Sequence, residues 1–221
     1  AEEEEDLATV INARTPGALA QAAAGIGAPF VHISTDYVFE GSGEQPWSVD
    51  ALTAPLGAYG RSKLAGEDAV RAAGGSHAIL RTSWVISAHG RNFLKTMLRL
   101  GKECDRLTVV SDQIGGPTCA ADIAAACMTI AGALTSSGDK SGTYHFSGAP
   151  DVSWADLARA IFDMAGIDCV VEDIPSSAFP TPARRPANSR LDNSLTARVF
   201  GLERPDWRVG IRAILNDLGD Q

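Results

Sequence analysis

The sequence predicts an α/β fold, a doubly wound parallel sheet, on three observations. Apolar runs of strand length alternate with helical periods along most of the chain. The intervening helical stretches are long enough to serve as right-handed crossovers between parallel strands. At 221 residues the chain is long enough to bury a sizeable core, and its 45% apolar and 21% charged content is that of a globular protein.

The elements follow in order. Leu7, Val10, Ile11, Ala18, Leu19 and Ala22 fall near the helical period, so one helix, or two parted near Pro16, is expected between Glu2 and Ala24. The acidic run Glu2 to Asp6 reads as a solvated first turn favoured by the helix dipole. Phe30 to Thr35 is β-branched and aromatic, hence a strand. Gly41 to Pro55, rich in Gly, Pro, Ser and Asp, is a long loop leading into a helix from about Leu56 to Ala73. A strand opening at Ile79-Leu80 ends near Thr82 to Trp84; a helix is expected from Phe93 to Leu100, a strand at Leu107 to Val110, and a small-residue helix from Ala120 to Leu134. Gly142 to Phe146 reads as a further strand, and Ser153 caps a helix through Ala165. Pro175, Pro180, Pro182 and Pro186 then punctuate an irregular stretch carrying Arg184, Arg185 and Arg190, before a last helix from Asp206 to Leu218.

Composition narrows the function. A net charge of −8 repels a nucleic-acid backbone, so no nucleic-acid partner is expected, and an anionic substrate needs a local basic site. The stretch from Cys119 to Leu134 is interrupted by Asp122 and is shorter than the ~20 residues of a membrane span. Cys104, Cys119, Cys127 and Cys169 show neither CxxC pairing nor zinc spacing with the histidines, which predicts buried, reduced thiols, a cytoplasmic protein and no metal site of that kind. The chain opens on Ala1 rather than Met and is read as a fragment of a longer protein.

The chemistry concentrates at Tyr59-Gly60-Arg61-Ser62-Lys63, in the first turns of the helix after the long loop. Residues four apart share a helix face, and an ammonium near a phenol favours phenolate, so Lys63 is expected to lower the pKa of Tyr59 and equip it as a general acid. Ser34, Thr35 and Asp36 stand at the carboxyl end of the preceding strand, where open α/β sheets bind ligands.

These segments resemble a known family. Ser34-Thr35-Asp36-Tyr37-Val38-Phe39 with Gly41, followed by Pro55-Leu56, Tyr59-Gly60, Lys63-Leu64 and Gly66-Glu67, is similar to the extended short-chain dehydrogenases/reductases. Arg81-Thr82-Ser83-Trp84-Val85, Asn92-Phe93 with Thr96-Met97, Asp112-Gln113 with Gly115, Pro117 and Thr118, and Arg185-Pro186 with Asn188 to Leu191 resemble the dTDP-4-dehydrorhamnose reductases among them. The resemblance implies a Rossmann-like sheet, here amino-terminally truncated, with a small α/β substrate-binding domain. It divides the chain at 1–145 and 146–221, the two parts interleaved. It implies hydride transfer from NADPH or NADH to C4 of a dTDP-linked 4-keto sugar, with Tyr59, Lys63 and Thr35 catalytic. Tyr59, Lys63 and Ile33 would meet the cofactor, and Thr35, Asp36, Trp84, Arg185 and Arg190 the substrate. It also allows Mg2+ and a homodimer.

The sequence departs from that family where a strand, a Gly-rich turn and a helix amino terminus should hold the cofactor pyrophosphate: no GxGxxG occurs, so weak binding of nicotinamide cofactor by these residues alone is expected. A non-catalytic, reductase-like binding subunit is one rival reading. A nucleotide-sugar epimerase or dehydratase is the other, though Tyr37 stands where elimination calls for a Glu after Asp36. No GxSxG, HExxH or P-loop occurs.

Overall fold

The structure, a computed structural model, describes residues 1–181 and 183–219; Pro182 lies outside the described residues. Helices α1 (Glu5–Thr9) and α2 (Thr15–Gly25) are joined without a break by a π-helical turn, Val10–Arg14, and strand β1 (Phe30–Thr35) follows. Pro16 has no N–H to give to the carbonyl of Asn12, and the wider turn ahead of it absorbs that loss without a kink into two helices. After the long loop come α3 (Ala58–Ala72), β2 (His77–Thr82), β3 (Val85–Ile86), α4 (Phe93–Glu103) and β4 (Arg106–Val110). Then follow β5 (Ile114–Gly115), β6 (Thr118–Cys119), α5 (Ala120–Ser136), β7 (Gly142–His145), β8 (Val152–Ser153) and α6 (Trp154–Ala165). The last elements are β9 (Val170–Ile174), β10 (Asn188–Ser189), α7 (Ser194–Phe200) and α8 (Trp207–Gly219).

The main sheet has the order β1-β2-β7, all parallel, with Phe30 opposite His77 and Thr35 opposite Thr82. Helix α3 is the crossover from β1 to β2. Neighbouring strand residues point to opposite faces: Leu80 packs with Ile123 and Ile130 of α5, whereas Ile79 packs with Ala20 of α2 and Val70 of α3. Both faces are therefore covered by helices, as a doubly wound sheet requires.

A second core lies beside this sheet. Strands β4 and β9 pair in parallel, and Leu94 and Met97 of α4 pack beside them with Ile161 and Phe162 of α6 and Ile211 of α8. Short strands stitch the two regions, β3 to β6 and β5 to both β8 and β10. The chain enters this second core at α4, returns to the main sheet through α5 and β7, and re-enters it at α6.

Several expectations change. The stretch after Ala165 is not simply irregular, because it contains β9, β10 and α7. The charges in Val170-Val171-Glu172-Asp173 hide a strand that the sequence does not announce; Glu172 pairs with Arg106 on the neighbouring strand and Asp173 with Arg159 of α6. Cys119 and Cys169 are buried as expected, but Cys104 is exposed just beyond the end of α4. Among the described residues no helix is long and apolar enough to cross a membrane.

Candidate active site

Helix α3 is placed by two contacts at its start. Gly57 offers no side-chain cap, and the Glu2 carboxylate accepts the Ala58 N–H at 2.9 Å, while Glu5 pairs with Arg61 at 2.8 Å. Part of the acidic run thus caps the helix that carries Tyr59, rather than being only a solvated turn. Gly60 is required by close approach: a Cβ there would lie 2.2 Å from the Tyr37 carbonyl oxygen.

Below this point α3 is locked to the sheet by a buried ion pair. Glu67, one turn beyond Lys63, has no exposed surface and accepts Arg81 of β2 through both oxygens at 2.8 and 2.7 Å. The same carboxylate accepts the Ser34 hydroxyl at 2.6 Å and Arg71 at 2.7 Å. Burial alone would raise its pKa, but Arg81, Ser34 and Arg71 together hold it below the usual carboxylate range.

Above this lock, at the carboxyl ends of β1 and β2, opens a cleft of about 730 Å³. Ile33, Thr35, Asp36, Tyr59, Lys63 and Trp84 line it, with Arg185 also at its wall. Of the three arginines singled out in the sequence, Arg184 and Arg190 are not among the lining groups; the Arg190 guanidinium donates to the Asn188 side chain at 3.1 Å. Asn188 in turn donates to the carbonyls of Gln45 and Ser42, so Asn188 and Arg190 tie β10 to the long loop.

The electrostatics differ from the sequence expectation. Although Tyr59 is 39% exposed, desolvation by the cleft around it raises the phenol's pKa, the Asp36 carboxylate raises it further, and the Thr35 hydroxyl is the group that lowers it. Lys63 does not act on the phenol here; its ammonium donates to the Ile33 carbonyl at 2.5 Å. Tyr59 is therefore held protonated, the state a proton donor needs. Asp36 is 3% exposed, its pKa is pushed up to about 6 by burial, and its Oδ2 has no hydrogen-bond partner among protein groups. The Thr35 hydroxyl donates to the other Asp36 oxygen at 3.1 Å and accepts the Tyr37 N–H at 3.2 Å.

The far wall is aromatic. Trp84 sits at φ 47°, a left-handed backbone unusual for a non-glycine residue, and its indole stacks on Trp154 with centroids 3.5 Å apart and planes 10° apart. Phe93 leans on Trp154 at 4.5 Å. Sequence reasoning missed Trp154, Phe93 and Tyr37 as cleft residues. Tyr37 stands two positions from Thr35 and touches Tyr59 edge-on at 5.7 Å, so only it carried a local signal.

Residues 1–219 match the family model described as the RmlD substrate binding domain. The dTDP-4-dehydrorhamnose reductase of Sinorhizobium fredii is 47% identical over 97% of this chain and 75% of that protein. The chain belongs to the dTDP-4-dehydrorhamnose reductase family. The Escherichia coli K12 reductase of that name is 44% identical, over 99% of this chain and 75% of that protein. The crystal structure of the Bacillus anthracis dTDP-4-dehydrorhamnose reductase in complex with NADP superposes with a TM-score of 0.90 at 38% identity, over 98% of this chain and 75% of that one. The Clostridium acetobutylicum enzyme gives 0.91 at 38% identity.

Proposed function

We propose that this chain serves the reduction of dTDP-4-dehydro-6-deoxy-L-mannose to dTDP-L-rhamnose, in the cytoplasmic synthesis of deoxysugars for cell-surface polysaccharide. The observation that carries the reading is the convergence of Thr35, Tyr59 and Lys63 on one cleft at the carboxyl ends of β1 and β2, opposite Trp84 and Arg185. The family membership agrees with it.

The residues present fit a nicotinamide nucleotide on that side of the cleft, because Lys63 reaches over β1 to the Ile33 carbonyl and offers its remaining donors to ribose hydroxyls. NADPH or NADH bound there supplies the hydride for C4. Tyr59, protonated at neutral pH, gives its proton to the alkoxide that develops at the sugar's O4, a far stronger base than phenolate. Thr35, whose hydroxyl lowers the phenol's pKa, stabilises the phenolate left behind once its proton turns from Asp36 to the phenolate oxygen. Lys63, held on the Ile33 carbonyl, serves the cofactor rather than the phenol. Asp36, with an unpartnered buried oxygen, accepts a sugar hydroxyl, and Trp84 gives the ring a flat apolar wall.

The substrate's diphosphate is assigned to Arg185, whose charge also reaches Tyr37 and lowers that phenol's pKa against the burial that raises it to about 12. Among the described residues no group of three or more His, Cys, Asp or Glu is arranged to hold a metal, and no step of the proposed reaction depends on Mg2+. A homodimer remains part of the proposal through family resemblance alone. Reduction with C4-deuterated cofactor, in a chain extended to its relatives' full length, checks the reaction: deuterium at sugar C4 is expected, and deuterium at another carbon, or none, would overturn it.

A further inference from the structure

The motif Asp112-Gln113 with Gly115, Pro117 and Thr118 lies outside the proton-transfer machinery, yet two of its residues, Gln113 and Gly115, touch the cleft's far wall and a third, Asp112, holds Ser176 beside them. Gly115 lies flat under Trp84: a Cβ there would be 2.8 Å from the indole Cε2. Gln113, 7% exposed, accepts the Trp154 indole N–H through Oε1 at 3.2 Å. Its amide donates in the other direction to the Ser176 hydroxyl at 2.8 Å. Asp112 fixes that hydroxyl from its other side at 2.6 Å and accepts the Ser176 N–H at 2.9 Å. Ser176 opens the short helical turn Ser176–Ala178, from which the chain continues to Arg185.

One amide therefore spans two elements that β4 and β5 do not otherwise join: the start of α6, which carries Trp154, and the start of the loop that carries Arg185. An amide is suited to this because it offers an acceptor to an indole, which can only donate, and a donor to a hydroxyl whose own proton is given to Asp112. We propose that Gln113 is a positioning residue for the nucleotide-sugar substrate, holding Trp154 in its stack with Trp84 and setting the loop so that wall and Arg185 act on one ligand. This rests on the reading of the cleft as the nucleotide-sugar site. Gln113 itself need not touch substrate. Its loss leaves Trp154 free to rotate off Trp84 and the loop free to shift, which weakens binding without removing any group that meets the ligand.

Two indoles stacked at 3.5 Å couple their electronic transitions, so the pair carries a circular-dichroism couplet that Trp154→Phe removes. The experiment measures that couplet and the affinity for thymidine diphosphate, by calorimetry, in the parent, Gln113→Leu, Gln113→Glu and Ser176→Ala. Gln113→Leu is expected to lose the couplet and bind about tenfold more weakly, the effect of one or two lost hydrogen bonds. Gln113→Glu keeps an acceptor for the indole but no donor for Ser176, so it should keep the couplet and still bind more weakly. Ser176→Ala should do the same. Parent-like affinity in Gln113→Leu, with the couplet kept or lost, overturns the proposal alone. Absence of thymidine diphosphate binding in the parent overturns the reading of the cleft and the proposal with it. A thermal midpoint near the parent's in each variant separates positioning from loss of the fold.

Discussion

The two walls of the cleft are built in opposite ways. The wall of β1 and α3 comes from two adjacent elements: Thr35 ends one, Tyr59 and Lys63 begin the other, and Glu67 on the same helix bolts both to β2 through Arg81. The wall facing it is assembled from Trp84, Phe93, Trp154 and Arg185, each on a different segment, held by ring stacking and by the hydrogen bond that Trp154 gives to Gln113 behind it. On the proposed reading the first wall fixes atoms that exchange a proton and tolerates little movement. The second would contact groups that do not react, so small displacements there should alter binding rather than chemistry.

Changes at the first wall should accordingly be severe. In a chain extended to the relatives' full length, Tyr59→Phe should lower turnover by roughly 10²–10⁴ while substrate affinity stays within a factor of about two. Near-normal turnover would remove Tyr59 from the chemistry. Glu67→Leu leaves the Arg81 guanidinium, 2% exposed, without its carboxylate, and should cost about 3–5 kcal/mol in denaturant unfolding. The double change Glu67→Leu with Arg81→Met should be milder than Glu67→Leu alone, because no buried charge is stranded.

The pH dependence of stability sharpens the same contrast, since the groups concerned lie under the first wall. His145 is fully buried with both ring nitrogens lacking a hydrogen-bond partner, and burial pushes its pKa down to about 3; burial also pushes His32 down to about 4. The unfolded chain takes up protons on both rings below about pH 6.5, while the folded chain refuses them, so stability should fall as pH drops from there. The Glu67 carboxylate, depressed in the fold, adds a further loss at more acid pH, once the unfolded chain's carboxylates protonate. Urea unfolding of His145→Phe should show a shallower decline between about pH 6.5 and 4; an unchanged slope would mean that His145 is charged in the folded protein.

At the second wall the effects should be smaller and of another kind. Arg185→Ala should raise the Michaelis constant with little change in turnover, because phosphate contacts are equal in ground and transition states. Arg190→Ala should do less still, since Arg190 is occupied with Asn188 and does not line the cleft. Equal effects of the two would show that the loop moves on binding and brings both arginines in.

The legibility of the sequence follows the same division. β1, α3, β2, α5, β7 and α6 are readable because each carries its own period, and α6 also a cap in Ser153, whose hydroxyl accepts the Asp156 N–H. Tyr59 and Lys63 were readable because four residues on one helix fix a shared face. Their electrostatics were not, because the phenol's pKa is set by burial, Asp36 and Thr35 rather than by Lys63. Trp154 as a cleft residue and Gln113 as its partner are invisible: their contacts span 41 and 63 residues, and nothing in local spacing reports them. The strand β9 escapes the sequence because Glu172 and Asp173, paired with Arg106 and Arg159, interrupt its apolar run.

The central claim is that both walls serve one ligand. A crystal structure of the chain with a dTDP-linked sugar tests it most directly. The account predicts the diphosphate within hydrogen-bonding reach of Arg185, the sugar ring between Trp84 and Tyr59, and its C4 oxygen about 3 Å from the Tyr59 hydroxyl. A ligand bound elsewhere, for instance in the polar cleft beside Asp50, Arg71 and Arg198, would contradict it.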